Sequence, residues 1–333
     1  MIVAPVKPTA GPTSPAPEKP LSFGLPPVGP RRRSRVRDAA EPSTRAKLLI
    51  YALLFLGAVV LVVPFVFLVG GSLKSGPEAA SGTLNPIPRD IKVENYTEAM
   101  KRLGLTTTVV SVPFTSATLT VPKSFPALAN TVVITTLCVV GQVISCSLVG
   151  FGFARFQFRG RALLFMIMLS TMMLPSQVTM IPVFVLFRSL GMIDSFWPLV
   201  LPAWLASPFF VFMFRQFFSQ IPEELMEAAR IDGAGNWTIY WRIMLPLCGP
   251  VIAIVAIYTF LGTWNDFLGP LIYLNTPENR TLALALNAFN GQYGVRDVHL
   301  LMAASVICMA PCVILFFAAQ KYFVESVATT GGK

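Results

Sequence analysis

The sequence predicts an all-α integral membrane protein that crosses the bilayer six times, and three observations carry that prediction. Of 333 residues, 54% are hydrophobic and 13% charged, where a soluble domain carries about 25% charged residues; mean hydropathy is +0.65. The apolar residues gather into six stretches, each near the ~20 residues that a helix needs to cross a bilayer. The basic residues are divided unevenly between the intervening loops, which gives the crossings one orientation.

Composition also excludes some chemistry. The five cysteines, Cys138, Cys146, Cys248, Cys308 and Cys312, lie in or beside apolar stretches without CxxC spacing, which argues against a zinc site or a disulfide framework. Cys308 and Cys312, one helical turn apart, read as small packing residues. A single histidine, His299, makes a His-based catalytic set improbable. No metal site and no catalytic residue is expected, and the chain is not expected to be an enzyme. A membrane transferase would need a cluster of acids or a metal set near one interface, which the sequence does not offer.

Residues 1–44 contain ten prolines and almost no apolar periodicity, so they cannot bury enough surface to offset the entropy of ordering and are expected to be a disordered tail. Without an apolar h-region the tail does not read as a cleaved signal peptide. Its Arg31-Arg32-Arg33-Ser34-Arg35-Val36-Arg37 run resembles a nucleic-acid patch in isolation. Ahead of a membrane segment it is better explained by anionic lipid headgroups, and no nucleic-acid partner is expected. Residues 45–326 form the expected six-helix domain, with 327–333 a second cytoplasmic tail.

The six stretches are 48–70, 128–152, 162–187, 196–218, 249–272 and 299–320. In lipid every backbone polar group must be satisfied within the protein, so runs of this length mean helices. Pro64, Pro175, Pro182, Pro202, Pro208 and Pro311 fall inside them and predict kinks. Met166, Met168, Met172, Met173 and Met180 enrich the third stretch; a helix-packing core explains them more simply than an adaptable gate. The 71–127 loop predicts a short amphipathic helix near 94–102. Its Thr-, Val- and Ser-rich part, 103–127, suits either strands or a segment lying on the membrane.

Loop charges set the orientation. With the N-terminus inside, residues 1–47 contribute nine Lys or Arg against three acids, and Arg155, Arg159, Arg161, Arg215, Arg230, Arg242, Lys321 and Lys333 add eight, giving seventeen of the 26 basic residues. Of the nine outside, six lie in the long 71–127 loop, where charge counts for less. Both termini and residues 219–248 are thereby expected in the cytoplasm.

The 219–248 loop is the most informative passage. Ile221-Pro222-Glu223-Glu224 starts a helix, with proline early and acids at the positive end of the dipole. The helix continues through Met226, Ala228 and Ala229 to Asp232-Gly233, where glycine permits a turn that a side chain resists. A second helix over Trp237–Met244 is ended by Leu245-Pro246. Small residues at 228 and 229 allow another surface to approach. An interfacial hairpin with Trp237 and Trp241 at the headgroups is the plainer alternative.

Glu227-Ala228-Ala229, three residues, Gly233, nine residues, then Ile243-Met244-Leu245-Pro246 resembles the EAA signature of ABC importer permeases. So do Asn130-Thr131, Phe153-Ala154-Arg155-Phe156, Met173-Leu174-Pro175, Arg215-Gln216-Phe217-Phe218, Trp264-Asn265-Asp266-Phe267, Gly291-Gln292-Tyr293 and the Ala328–Lys333 terminus. The resemblance covers residues 45–333 and is closest to the six-span, carbohydrate (maltose-type) subunits. The proline-rich tail and the length of 103–127 depart from it. It implies the type I importer permease fold, with a cytoplasmic coupling helix that docks on an ATPase. The coupling set is then Glu223, Glu224, Glu227, Ala228, Ala229, Arg230, Asp232, Gly233, Ile243, Leu245 and Pro246. Arg230 and Arg242 also suit lipid phosphate. It further implies that Thr330, Gly331 and Gly332 reach the ATPase.

The resemblance implies a bacterial plasma-membrane location and, as partners, a second permease, an ABC ATPase dimer, an extracytoplasmic binding protein, membrane lipids and a carbohydrate. ATP and Mg would be bound by the ATPase, because the chain has no GxxxxGK[ST] loop and no cofactor of its own. Glycerol phosphate competes with di- or oligosaccharides and polyols as the cargo. An ATP-independent secondary transporter remains the rival class, although such proteins commonly carry intramembrane charge pairs and the six stretches hold one acid, Asp266. An ionisable residue in a span is a candidate functional site. Trp264, Asn265 and Asp266, with Asn130 and Tyr258, are the expected substrate path, since aromatic faces and amide or carboxylate groups suit sugars. Structural pairing of Asp266 and interfacial anchoring by Trp264 remain the alternatives.

Overall fold

The computed structural model describes residues 44–83, 85–103, 109–111, 118–120, 126–289 and 297–330. The chain divides into a unit ending at Val59 and one running from Val60 to Lys333. The tail expected over 1–44 lies outside the described residues save Thr44, as do Gly291–Tyr293 and Gly331–Lys333.

Helix α1 is Thr44–Ser72, apolar along nearly its whole length, with Pro64 inside it. After α2 (Gly76–Ala80) comes α3 (Glu94–Leu103), the amphipathic helix expected near 94–102, with Asn95, Ala99 and Leu103 buried. Strands β1 (Val109–Ser111) and β2 (Thr118–Thr120) pair antiparallel, Val110 opposite Leu119. The strand alternative for this stretch therefore holds at these six residues.

Helix α4, Pro126–Arg155, is an unbroken second crossing. The third is not continuous: α5 (Arg161–Ser170) and a 3-10 turn through Met173 meet α6 (Ser176–Ser189) at 99°. Pro175, extended at ψ 133°, sits at the break, while Pro182 is carried inside α6. The methionines divide: Met168 packs against the cluster of Phe151 and Phe214, as a packing core requires, and Met180 is half-buried. Met166, Met172 and Met173 are 66%, 50% and 84% exposed in the lone chain.

The fourth crossing joins α7 (Trp197–Val200), a 3-10 stretch through Leu205 and α8 (Pro208–Gln220), with Ala206 at φ 60° between them. Then follow α9 (Glu224–Ile231), α10 (Asn236–Ile239), a π-helical turn over Tyr240–Met244 and α11 (Leu245–Leu247). The fifth crossing, α12 (Gly249–Trp264), meets the 236–247 segment at 77°. It ends eight residues before the expected 272, and α13 (Leu268–Tyr273) is a separate helix. Helices α14 (Leu282–Ala288) and α15 (Val298–Thr330) complete the chain. Four helices are long and apolar enough to cross a membrane, or up to six if each bent pair counts as one span, among the described residues.

Helix α4 is the centre of the packing. One buried cluster joins Cys146 and Phe151 to Phe214 and Phe218 of α8, Met226 of α9 and Val255 of α12. Gly150 makes that approach possible: a Cβ there would lie 2.6 Å from the Cβ of Phe214. A second cluster ties α3 to α15 through Ala99, Leu103, Ala303 and Ala304, with Trp264 and Leu282. A third packs Ile134 and Cys138 against Phe196, Val200 and Leu274.

Candidate functional site: a helical loop, a polar clasp and the helix between them

The 219–248 loop folds as a helix, a tight turn and a second helix. Helix α9 lays Met226 and Ala229, 1% and 7% exposed, against the bundle. Glu223, Glu224, Glu227, Ala228, Arg230, Asp232 and Gly233 are exposed, and so is Ile231, 87% of whose surface is free. Of the two alanines expected to admit another surface, Ala228 faces outward and Ala229 is packed inward. Gly233 has φ +82° with no atom within 4 Å of a Cβ built there, so the turn is a conformational requirement and not a steric one. Its N–H donates to the Arg230 carbonyl and that of Ala234 to Ala229.

The second half of the loop turns inward. Ile239, Tyr240 and Met244 are at most 1% exposed, while Ile243 and Leu245 pack partly buried on the same cluster and Pro246 is exposed. The π-helical turn over Tyr240–Met244 was not foreseen; such turns are rare and cluster at functional positions. It sets Tyr240 so that its hydroxyl lies 2.7 Å from Ser147 Oγ on α4. Leu148, Phe151, Phe156, Asn236, Trp237 and Tyr240 line a mostly apolar cavity of about 310 Å³ beside this bond.

Of the substrate-path residues, Trp264 and Asn265 border one cavity of about 400 Å³ with Phe267, Cys308 and Cys312, while Asp266 and Tyr258 border others. Trp264 is 5% exposed, stacks on Phe260 at 5.2 Å and donates from Nε1 to the Cys308 carbonyl at 3.0 Å. In this conformation it is a packing residue. Asn130 is 1% exposed and donates to the carbonyls of Glu278 (2.7 Å) and Arg280 (3.0 Å). Asp266 lies in the break after α12, where its carboxylate accepts the Gly269 N–H at 3.1 Å and so caps α13. It also lines a cavity of about 210 Å³ with Thr131, Thr263 and Thr281. Asn265 is exposed and donates to the Leu261 carbonyl. Tyr258, 57% exposed, lines a different, apolar cavity with Leu261, Leu315 and Phe316. Thr330 is the last described residue, so Gly331 and Gly332 lie outside the described part.

At the end of α4 away from the loop, Asp194 makes a clasp that sequence reasoning missed. Its Oδ1 accepts the N–H groups of Asn275 (2.8 Å) and Thr276 (3.0 Å), and Asn279 Nδ2 donates to its carbonyl at 2.8 Å. Burial pushes this carboxyl up, but the donors of Thr276, Asn275 and Asn279 outweigh it and the net shift is downward. The group lies outside the membrane-spanning helices. A carboxyl lowered on folding adds stability above its unfolded value, about 3.9, and loses it as pH falls through the folded value. Asp194→Ala is expected to lower the detergent-solubilised protein's stability by about 1–3 kcal/mol. The loss should be full at neutral pH and fade below about pH 4; an unfolding series at several pH values, showing equal effects at pH 7 and pH 3, would refute it. Arg102 and Asp297 pair at 2.7 Å and join α3 to the start of α15.

Residues 146–329 match the family described as binding-protein-dependent transport system inner membrane component. The chain is 31% identical over 296 residues to the diacetylchitobiose uptake system permease protein NgcG of Streptomyces coelicolor, covering 88% of this chain and 91% of that one. It is 38% identical over 204 residues to the arabinooligosaccharides transport system permease protein AraQ of Halalkalibacterium halodurans, covering 61% of this chain and 72% of that one. Among solved structures, a chain of a bacterial ABC transporter involved in the import of the acidic polysaccharide alginate matches with TM-score 0.71 at 23% identity. That match covers 83% of this chain and 96% of the other, and it shows that the two share a fold.

Proposed function

Because this chain belongs to the family of binding-protein-dependent transport system inner membrane components, we propose that it is the permease subunit that carries a di- or oligosaccharide through a bacterial plasma membrane and receives the force of ATP hydrolysis at residues 219–248. The chain is a multi-pass membrane permease and the chemistry of hydrolysis belongs to a partner. The observation that carries the coupling role is the outward face of α9: acids, Ala228, Ile231 and the open Gly233 turn project together on a rigid two-helix element. Such a face suits a groove with basic and apolar walls.

The proposed assembly contains a second permease, an ABC ATPase dimer that binds ATP and Mg, and an extracytoplasmic binding protein. Charge distribution supports cytoplasmic termini, which puts 219–248 on the ATPase side and the Asp194 clasp outside. Carbohydrate cargo is supported by the relatives' substrates and by the hydroxyl- and carboxylate-lined cavity at Thr131, Thr263, Asp266 and Thr281. Trp264 and Asn130 hold helices together here, which leaves Asp266 and Asn265 as the path residues to test first.

The decisive experiment is purification of the tagged chain from its own membranes in mild detergent. A second permease and an ATPase should accompany it. Hydrolysis in vesicles should rise several-fold with the binding protein and one of raffinose, maltotriose or N,N′-diacetylchitobiose. Purification without any ATPase would sink the reading in favour of an ATP-independent transporter; stimulation by glycerol phosphate alone would change the cargo. Asp266→Asn, which keeps an oxygen acceptor for Gly269, is expected to assemble normally yet lower uptake about 10-fold or more, since a hydrogen bond to a charged group contributes about 1.5–3 kcal/mol. Uptake equal to wild type would remove Asp266 from the path.

A further inference from the structure

The loop is tied at both of its halves to one helix. Helix α8 ends at Gln220, and the carbonyl of Phe218 should be satisfied by the N–H four residues on. That residue is Pro222, which has none. The Phe218 carbonyl instead accepts the Ile221 N–H at 3.3 Å and Nη2 of Arg155, the last residue of α4. The same Nη2 also donates to the Ile221 carbonyl, one residue ahead of the loop's proline. Eight residues earlier on α4, Ser147 Oγ donates within its own helix to Val143 O at 2.6 Å. It also shares a hydrogen bond with the Tyr240 hydroxyl at 2.7 Å, and Tyr240 opens the π-helical turn of the loop's second half.

The opposite end of α4 is fastened too. Asn130 holds the carbonyls of Glu278 and Arg280, and Thr131 Oγ1 accepts the Leu282 N–H at 2.8 Å. The segment so held is the one that Asp194 clasps. Between the two ends α4 is 30 residues without a break, about 45 Å at 1.5 Å per residue. The third crossing and the junction of 236–247 with α12, by contrast, are sharply bent.

We propose that Arg155 is a positioning residue that makes α4 a strut: movement of the 219–248 loop is passed through the Arg155 guanidinium and the Tyr240–Ser147 bond to the far end of α4, and there to the 275–282 segment. The inference rests on the reading of 219–248 as the ATPase-coupling loop. Arg155 has the geometry for the task because a planar guanidinium is pre-organised to hold two carbonyls at once, which a lysine does as a flexible point charge. Its buried Nε, without a partner in the described structure, leaves the group held by two carbonyls, that of Phe218 at the end of α8 and that of Ile221 in the loop.

The test uses the assembled complex in vesicles, with a reporter cysteine at Glu278 (Glu278→Cys, with Cys308 and Cys312 replaced by alanine) and a membrane-impermeant maleimide. Trapping with ATP and vanadate should change the labelling rate at 278 by several-fold in the otherwise unaltered complex. In Arg155→Lys the ATPase should still co-purify and hydrolyse ATP, but the labelling change should fall to less than a third. A double variant, Arg155→Gln with Pro222→Ala, separates positioning from simple capping, because alanine restores the backbone N–H that Pro222 lacks without a link to α4. It should remain as defective as Arg155→Gln alone. A labelling change kept in Arg155→Lys, no change on trapping in the unaltered complex, or recovery in the double variant would each overturn the strut. Co-purification of no ATPase with wild type would instead overturn the coupling reading on which it rests.

Discussion

Gly233→Asp is expected to release the ATPase from the purified complex, at least 10-fold by pull-down, and to abolish uptake while the chain still accumulates in the membrane. Three facts combine in that expectation. Gly233 is at φ +82° in a turn whose surroundings are open, so a side chain clashes with nothing in this chain. Aspartate is among the few residues that visit the left-handed region, so local strain is about 1–2 kcal/mol or less. The new carboxylate instead projects at the tip of a face that already carries Asp232, Glu227 and Glu224, where it would hold a docked surface away. Tenfold weakening needs only ~1.4 kcal/mol, well below the cost of a steric and electrostatic misfit in a packed groove. Unchanged co-purification would mean that the tip does not touch the ATPase. Loss of the chain from the membrane would mean that the turn, and not the contact, is what glycine serves.

Gly150→Val is expected to act in the opposite way, removing the protein and not merely its coupling. A Cβ at 150 falls 2.6 Å from Phe214 Cβ, 3.2 Å from the Arg215 nitrogen and 3.3 Å from the Val211 carbonyl oxygen. Two of these are backbone atoms that cannot rotate aside. Relief requires α8 to back away from α4, uncovering Cys146, Phe151, Val211 and Phe218 in the same cluster. Overpacking of this kind costs about 1–3 kcal/mol, and a branched side chain facing fixed backbone belongs at the upper end. Steady-state amounts in the membrane should fall several-fold, with lowered thermal stability of what remains. Gly152→Val, two residues away with no atom within 4 Å of its Cβ, is the control and should be tolerated. Equal behaviour of the two variants would dismiss close approach as the reason for glycine at 150.

Much of this molecule was legible in the sequence because apolarity and length act over whole segments. All six stretches correspond to helices or bent helix pairs, and 94–102 became α3. The 219–248 loop was legible for a different reason: its residues stand at fixed offsets that do not depend on distant contacts. The breaks were not. Pro175 and Pro182 lie in one stretch and both predict kinks, but only the first coincides with the 99° bend; proline marks where a helix can yield, and tertiary packing chooses. The packing of Trp264 was not legible either: its indole is stacked on Phe260 and bonded to Cys308 while it borders a cavity with Asn265. Asp194 and Arg155 act on backbone groups more than 60 residues away, and no local pattern announces such partners. For Arg155 a signal did exist: Pro222, four residues after Phe218, cannot offer that carbonyl an N–H, which leaves it the Ile221 N–H and room for a side-chain donor.

The interrupted third crossing bears on how the protein is made. Helix α5 has 10 residues and α6 has 14, about 15 and 21 Å long, so neither spans a ~30 Å hydrocarbon layer by itself. The non-α backbone at Thr171–Pro175 is tolerable at membrane depth only when covered by protein or facing water, and Met173 and Leu174 within it are 84% and 60% exposed in the lone chain. During synthesis this segment therefore cannot settle in lipid as an independent hairpin half. Its insertion has to await a companion surface, so the subunit produced without one should be recognised by membrane proteases and turned over faster than the same subunit made alongside its neighbours.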